Sequence, residues 1–381
     1  MYVSYAVLAI GASISNTQNY AIVKENEVYF FVLCSRRGRR KRWWRVKPFL
    51  FWYGVLDITF LIIREDRGEA MTNNAIKISE QGTPPEKPGR MPFTFARYTV
   101  ASERHGERNE DHILVDQSRG LAGVFDGVGG SISGEVASRM AAYVIRRGWK
   151  QVLLRTQGHL SGILEGADPL DLCATLQHLL VEANEQICTK GWKRATRGGV
   201  QIETGGPATT AVVATLCQQD GGGYIMTYAH VGDSRIYLLR GDDPLAPLTR
   251  DDGYLSTLLR DHLIVEEDIL RIDQTTEPEQ LSEIELSYFE KRNGITQALG
   301  DSQTPTIHCD QIALEPADRI LLCSDGIHDN LTNREMEAIL RKGARTTVAR
   351  DLVQQAIERS QQDTLRAKAD DMSAVVITCH F

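Results

Sequence analysis

Four short acidic clusters hold the residues of this 381-residue chain best suited to chemistry. Glu110-Asp111 stands in RNEDHILVD and Asp126 closes LAGVFD before GVGG. Asp325 closes ILLCSD before GIHD, and Asp370-Asp371 precede MSAVVIT. An apolar strand flanked by an acid delivers a carboxylate to a sheet edge, and a following glycine lets backbone approach whatever sits there. A single acid at a strand end is ordinarily a turn residue. Four such ends, with glycine after Asp126 and Asp325, make a set. Like charges brought together repel, so a converging set needs a cation. Oxygen ligands without clustered His or Cys select a hard one, Mg²⁺ or Mn²⁺.

The elements that must position these acids are legible from about Phe93 onward. Leu121–Phe125 reads as a short apolar strand, and residues 209–217, Tyr224–Val231, 236–239, 320–324 and 374–379 read as further strands. Val136, Met140, Tyr143 and Val144 share one helical face, and so do Leu172, Leu176, Leu179, Leu180, Ala183 and Ile187. Both stripes are core faces without a functional reading. Further helices are expected near 333–341 and 347–361. The QQDGGG connection suits a hairpin, and hairpins between neighbours imply antiparallel sheets with helices packed outside them, an α+β fold. Residues 240–294, charged and irregular, read as an insertion over the surface.

Composition narrows the class. The chain is 42% hydrophobic and 24% charged, ordinary for a globular protein. Seven scattered cysteines without a CxxC exclude a disulfide framework and a zinc ribbon, and point to a reducing compartment. The net charge of −7 hides an asymmetry. Residues 1–70 carry eleven bases against six acids, a net +5, which leaves 71–381 at −12. An acidic body is unlike a nucleic-acid reader.

The first seventy residues are a different kind of sequence. They hold apolar runs at 2–12, 28–34 and 49–63, three of the five Trp, and the basic cluster RRGRRKRWWRVK. The 49–63 run contains Asp57 and falls short of the ~20 apolar residues that a bilayer span needs. Three readings stay open: an over-extended gene start with translation beginning at Met71, a membrane-associating segment, or a small ordered domain. Residues 71–92 read as a disordered linker, and 93–381 as the catalytic domain.

In order along the chain, RNED, VFDGVGG with GEVAS, TTAVVA, HVGDSRIYLL, ITQALGD, LLCSDGIHDNL and DDMSAVVIT resemble the metal-dependent serine/threonine protein phosphatases of type 2C, bacterial members in particular. The resemblance covers roughly 93–381. It implies an αββα sandwich of two antiparallel sheets flanked by helices, with a binuclear Mn/Mg centre at one sheet edge. A metal-bridged hydroxide would hydrolyse phosphoserine or phosphothreonine without a phospho-enzyme. By position, Asp126 would bridge both metals and Gly127 would offer its carbonyl to one. Asp325 and Asp370 would hold the other, with Glu110 and Asp111 at its water shell or directly on a metal. Asp233 and Asp329 match a third, weaker site.

Departures from the family pattern are visible too. The usual closing pair is Asp-Asn, so Asp370 takes the ligand position, Asp371 replaces the Asn, and Asp371→Asn should be tolerated. Val128 stands where many relatives carry His, so the leaving oxygen would take its proton from metal-bound water. The phosphate-gripping Arg is Gly106 here, and Arg104 is the better substitute, ahead of Arg108. Ala208 and Gln297 are packing variants. The partners implied are phosphorylated proteins, substrates of a serine/threonine kinase, with no nucleic acid. A cytoplasmic monomer is expected, with membrane association only through 1–70. A second reading keeps the fold but makes the chain a catalytically weak phosphoprotein-binding regulator; the lost arginine favours it and the intact carboxylates oppose it.

Overall fold

The computed structural model describes residues 6–9, 17–24, 27–34 and 91–381, excluding 104–105, 107, 129–133, 159–161, 167, 199–205 and 302–303. The chain divides into two compact units, Met1–Pro88 and Gly89–Phe381. In the first, β1 (Ala6–Ala9), β2 (Thr17–Lys24) and β3 (Glu27–Cys34) pair as an antiparallel sheet in that order. The first seventy residues therefore contain strands that their sequence showed no clean period for. The 49–63 apolar run, the basic cluster and the 71–90 part of the linker lie outside the described residues.

The second unit is built on two sheets. One takes β11 (Ala246–Pro247), β10 (Arg235–Leu239), β13 (Arg319–Cys323), β14 (Met372–Cys379) and β4 (Phe93–Val100) in that order. The other takes β12 (His308–Leu314), β9 (Tyr224–Val231), β8 (Ala211–Gln218), β6 (Leu121–Phe125) and β5 (His112–Asp116). The two-residue β7 (Leu164–Glu165) pairs β8 in parallel, and every other pairing is antiparallel. Helices α1 (Gly134–Gln157) and α2 (Pro169–Gly198) cover the second sheet, and α7 (Asn333–Lys342) and α8 (Val348–Ser360) cover the first. The two-residue period explains the layering. In β6, Leu121 and Phe125 pack under the helices while Ala122 and Val124 enter the core between the sheets. In β14, Ala374 and Val376 face helices while Val375, Ile377 and Cys379 face the other sheet.

Two sequence expectations are corrected here. Residues 240–294 are not irregular: α3 (Tyr254–Arg260), α4 (Glu266–Asp273) and α5 (Glu283–Glu290) gather Leu255, Leu258, Ile264, Ile272 and Phe289 into a core of their own. Nor are all the cysteines free, because Cys173 of α2 and Cys309 of β12 form a disulfide, Cα to Cα 5.8 Å. Among the described residues no helix is long and apolar enough to cross a membrane.

Candidate metal centre

Strand register brings the acids together. β5 pairs β6 with His112 opposite Phe125, which puts Asp111 beside Asp126 one step further on. β10 pairs β13 with Arg235 opposite Cys323, so Asp233 and Asp325 extend the same ladder at the same end. β13 pairs β14 with Cys323 opposite Ala374, which leaves Asp370 just outside the start of β14 on that edge. Carboxylates from both sheets thus meet where the sandwich opens. The four-residue α6 (Asp325–His328) follows β13 directly and carries Asp325 as its first residue.

Close backbone approaches fix the loops between them. A Cβ on Gly127 would lie 2.5 Å from the Gly134 carbonyl carbon and 2.7 Å from the Glu110 oxygen, so no side chain fits where the Asp126 loop meets α1. A Cβ on Gly326 would lie 2.1 Å from the Asp371 oxygen, so the Asp325 turn abuts the Asp370-Asp371 pair. The Asp126 carbonyl accepts from the Thr210 N–H and the Thr209 hydroxyl, both at 2.8 Å. The Glu110 carbonyl accepts from the Gly127 N–H at 3.2 Å and the Ser138 hydroxyl at 2.6 Å.

The electrostatics are those of crowded acids. Asp111 is 5% exposed, accepts from the Ser324 hydroxyl at 2.7 Å on Oδ2, and has no hydrogen-bond partner on Oδ1. Burial pushes its carboxyl up to about 7; Asp371 and Asp325 add to this, and the hydroxyls of Ser324 and Ser373 pull it back. Burial, then Asp111, Asp325, Asp370 and Asp233, hold Asp126 well above the usual carboxylate range. Asp233 is raised likewise by burial, Asp325 and Asp251. Oδ1 of Asp325 is also buried without a partner. Orphaned buried carboxylate oxygens that repel one another are the donor set a hard divalent cation satisfies. The residues fit that group, although among the described residues no three His, Cys, Asp or Glu side chains already form a metal shell.

Lys368, which the sequence did not single out, lies in their midst. Its Nζ bonds Asp325 Oδ2, stands 2.7 Å from Asp329 Oδ2 and 3.1 Å from Asp370 Oδ2. Burial opposes its charge, but the three carboxylates outweigh that and keep its pKa well above the ordinary lysine value. Asp329, burial notwithstanding, is held below the usual carboxylate range by Lys368, Arg292 and His328. Of the pair suggested for a third site, Asp329 is therefore held charged by the chain's own cations, whereas at Asp233 the pull of Lys368 is outweighed by burial, Asp325 and Asp251.

The other expected residues sort clearly. Asp370 is at the site with its side chain 35% exposed. Asp371 turns away: Oδ1 accepts from the Ser102 N–H and Oδ2 from the Glu110 N–H, both at 2.6 Å, so it clasps the 102–110 loop to the closing strand. An asparagine at 371 would leave one of these two N–H groups facing an amide nitrogen, which cannot accept it, so the expected tolerance of Asp371→Asn depends on how the loop accommodates that loss. Glu110 pairs with Arg108 at 2.9 Å, and Arg108 also reaches Glu135 in the first turn of α1 at 3.5 Å, so this arginine bridges the Glu110 segment to that helix. Arg104 lies outside the described residues. Arg235 of the GDSR motif holds Asp251 and Asp273 through its guanidinium, anchoring both ends of the 251–273 stretch beside the site. Buried Arg366 bonds the carbonyls of Asp273 and His328, tying α4 to α6.

Residues 100–368 match the family described as protein phosphatase 2C. The chain belongs to the protein phosphatase 2C family. Among curated proteins, the serine/threonine phosphatase Stp of Listeria innocua is 27% identical over 249 residues, 65% of this chain and 82% of the relative. The protein phosphatase PhpP of Streptococcus pneumoniae is 27% identical over 231 residues, 60% and 76% of the two chains. Among solved structures, the Mycobacterium tuberculosis serine/threonine phosphatase PstP superposes with a TM-score of 0.55 at 23% identity, over 76% of this chain and 99% of that one. The PstP catalytic domain in complex with two manganese ions gives 0.52 at 22% identity, over 76% and 99%. The family shares this two-sheet fold, as the sequence resemblance implied, and is a family of metal-dependent serine/threonine phosphatases.

Proposed function

We propose that this phosphatase hydrolyses phosphoserine and phosphothreonine in proteins at the sheet edge where Asp111, Asp126, Asp233, Asp325 and Asp370 converge. The observation that carries the reading is the pair of buried, unpartnered oxygens, Asp111 Oδ1 and Asp325 Oδ1, among carboxylates from both sheets in a 2C-family chain. Asp126, with the Gly127 carbonyl behind it, Asp325 and Asp370 would hold two Mn²⁺ or Mg²⁺ ions, with Asp111 beside them and Glu110 at the periphery. Bound there, such ions supply charge neutralisation at the phosphoryl group and a water acidic enough to attack at neutral pH.

The chain's own residues do the positioning. Thr209 and Thr210 fix the Asp126 backbone, Ser324 orients Asp111, and Asp371 keeps the Glu110-Asp111 segment against β14. A small cavity of about 160 Å³ lies beside Asp370, lined by Ser102, Glu103, Ile357 and Gln361. The opposing enzyme is a serine/threonine kinase, and the working form is a monomer whose catalytic unit is Gly89–Phe381. A cytoplasmic location and a membrane role confined to residues 1–70 belong to the same proposal.

The test is hydrolysis of phosphothreonine, phosphoserine and phosphotyrosine peptides by the full chain with Mn²⁺ or with EDTA. Release of phosphate from the first two with Mn²⁺ and from none with EDTA is expected. Equal rates in EDTA would overturn the metal reading, and a preference for phosphotyrosine would overturn the substrate class.

A further inference from the structure

We propose that Lys368 is a built-in counter-ion of the site, competing with a divalent cation for Asp325 and Asp370. The inference rests on reading those two acids as metal ligands, and concerns what stands among them. Nζ contacts Asp325, Asp329 and Asp370 together, placing one positive charge within hydrogen-bond reach of three acids. A Mg²⁺ ion sits at about 2.0–2.1 Å from a carboxylate oxygen. An ion bound to both Asp325 and Asp370 would thus lie close to Nζ, at a separation where two cations repel strongly in a partly buried site. The ammonium must leave that pair for the ion to settle.

The chain is built to allow the movement while keeping the lysine near. The backbone of Lys368 is pinned to α6 through Asn330: its N–H donates to Oδ1 at 3.0 Å and its carbonyl accepts from Nδ2 at 2.9 Å. The same Nδ2 also donates to the Gly326 carbonyl at 2.8 Å, so anchor and metal-ligand turn are one piece. Beyond that anchor the four-carbon stem is flexible, and the side chain is 25% exposed. Asp329, at 3% exposure and also 3.6 Å from Arg292, is the carboxylate that can keep the ammonium when the other two are claimed. Lys368 thereby sets how much free metal the site demands: it lends the acids a partner and yields only to an ion that binds them better.

Two measurements on the full chain decide it. Mn²⁺ is titrated calorimetrically into wild type and Lys368→Met. The variant is expected to bind at least one ion about tenfold more tightly. In wild type, amine-reactive labelling read by mass spectrometry should modify Lys368 severalfold more in Mn²⁺ than in EDTA, a readout independent of activity and of the variant's folding. Equal Mn²⁺ affinities, or labelling unchanged or lowered by Mn²⁺, would overturn the inference. A wild type that binds no Mn²⁺ would instead overturn the metal reading on which it rests.

Discussion

The Ser324 hydroxyl donates to Oδ2 of Asp111 at 2.7 Å, joining the end of β13 in one sheet to the entry of β5 in the other. The Ser373 N–H donates to that same hydroxyl oxygen at 3.0 Å, so one serine links three of the four acidic segments. Ser324→Ala removes a hydrogen bond to a buried charge, a loss of about 1.5–3 kcal/mol. Outer-shell changes of this kind lower metal affinity about 10–100-fold. Calorimetric titration of Mn²⁺ into the variant should show a weakening in that range, and an unchanged affinity would mean that Asp111 is not near the ions.

Asp370 and Asp371 should separate by what they damage. Asp371→Asn confronts two backbone N–H groups with one acceptor and one donor, so it should lower Tm and, through the displaced loop, the rate as well. Asp370→Asn should leave Tm close to wild type and abolish Mn²⁺-dependent turnover. Thermal melts alongside peptide assays check both. A fully stable, fully active Asp371→Asn would show that the clasp on Ser102 and Glu110 is dispensable.

Much of the site was readable because its acids terminate strands whose two-residue period is clean: LAGVF ends at Asp126 and RILLC at Ser324-Asp325. Register then does the rest, since antiparallel pairing fixes which ends meet. Lys368 escaped because it sits in a patternless stretch between α8 and β14, where spacing says nothing about where a flexible side chain lands. The clasp by Asp371 escaped for a related reason, as its partners are backbone N–H groups 261 and 269 residues away. The Cys173–Cys309 pair, 136 residues apart, could not be inferred because connectivity does not follow from cysteine positions. Helices α3, α4 and α5 span only seven or eight residues, shorter than the window in which a helical period becomes distinct.

The raised acids carry a pH signature. Asp111 ionises at about 7 in the fold against about 3.9 in an unfolded chain, so the folded state binds more protons between those values. Its stabilising share is full below pH 4 and is lost as pH rises through 7. The raised Asp126 and Asp233 act in the same direction. Buried His230 and His328, lowered to about 4 chiefly by burial, work oppositely below pH 6.5, so the clean window lies above it. In EDTA, Tm should fall from pH 6.5 to 8, and saturating Mn²⁺ should flatten that fall. A Tm in EDTA that is level or rising over this window would contradict the crowding of these acids.

A chain beginning at Met71 retains the whole Gly89–Phe381 unit and loses the +5 charge of the first seventy residues. It should be soluble and as active as the full chain. Aggregation or a much lower Tm would show that residues 1–70 cover part of the phosphatase surface. Mass spectrometry of the native protein is the simpler check on translation, where a peptide mapping upstream of Met71 would rule out a start there.

The central claim is that carboxylates delivered by both sheets hold the ions on which hydrolysis depends. Its most direct test is the Mn²⁺-dependent rate on a phosphothreonine peptide for Asp126→Ala against wild type, with Mn²⁺ stoichiometry measured on the same samples. The variant should lose at least about a thousandfold in rate and bind fewer ions while keeping its fold. A folded Asp126→Ala that retains wild-type rate and wild-type Mn²⁺ stoichiometry would contradict it.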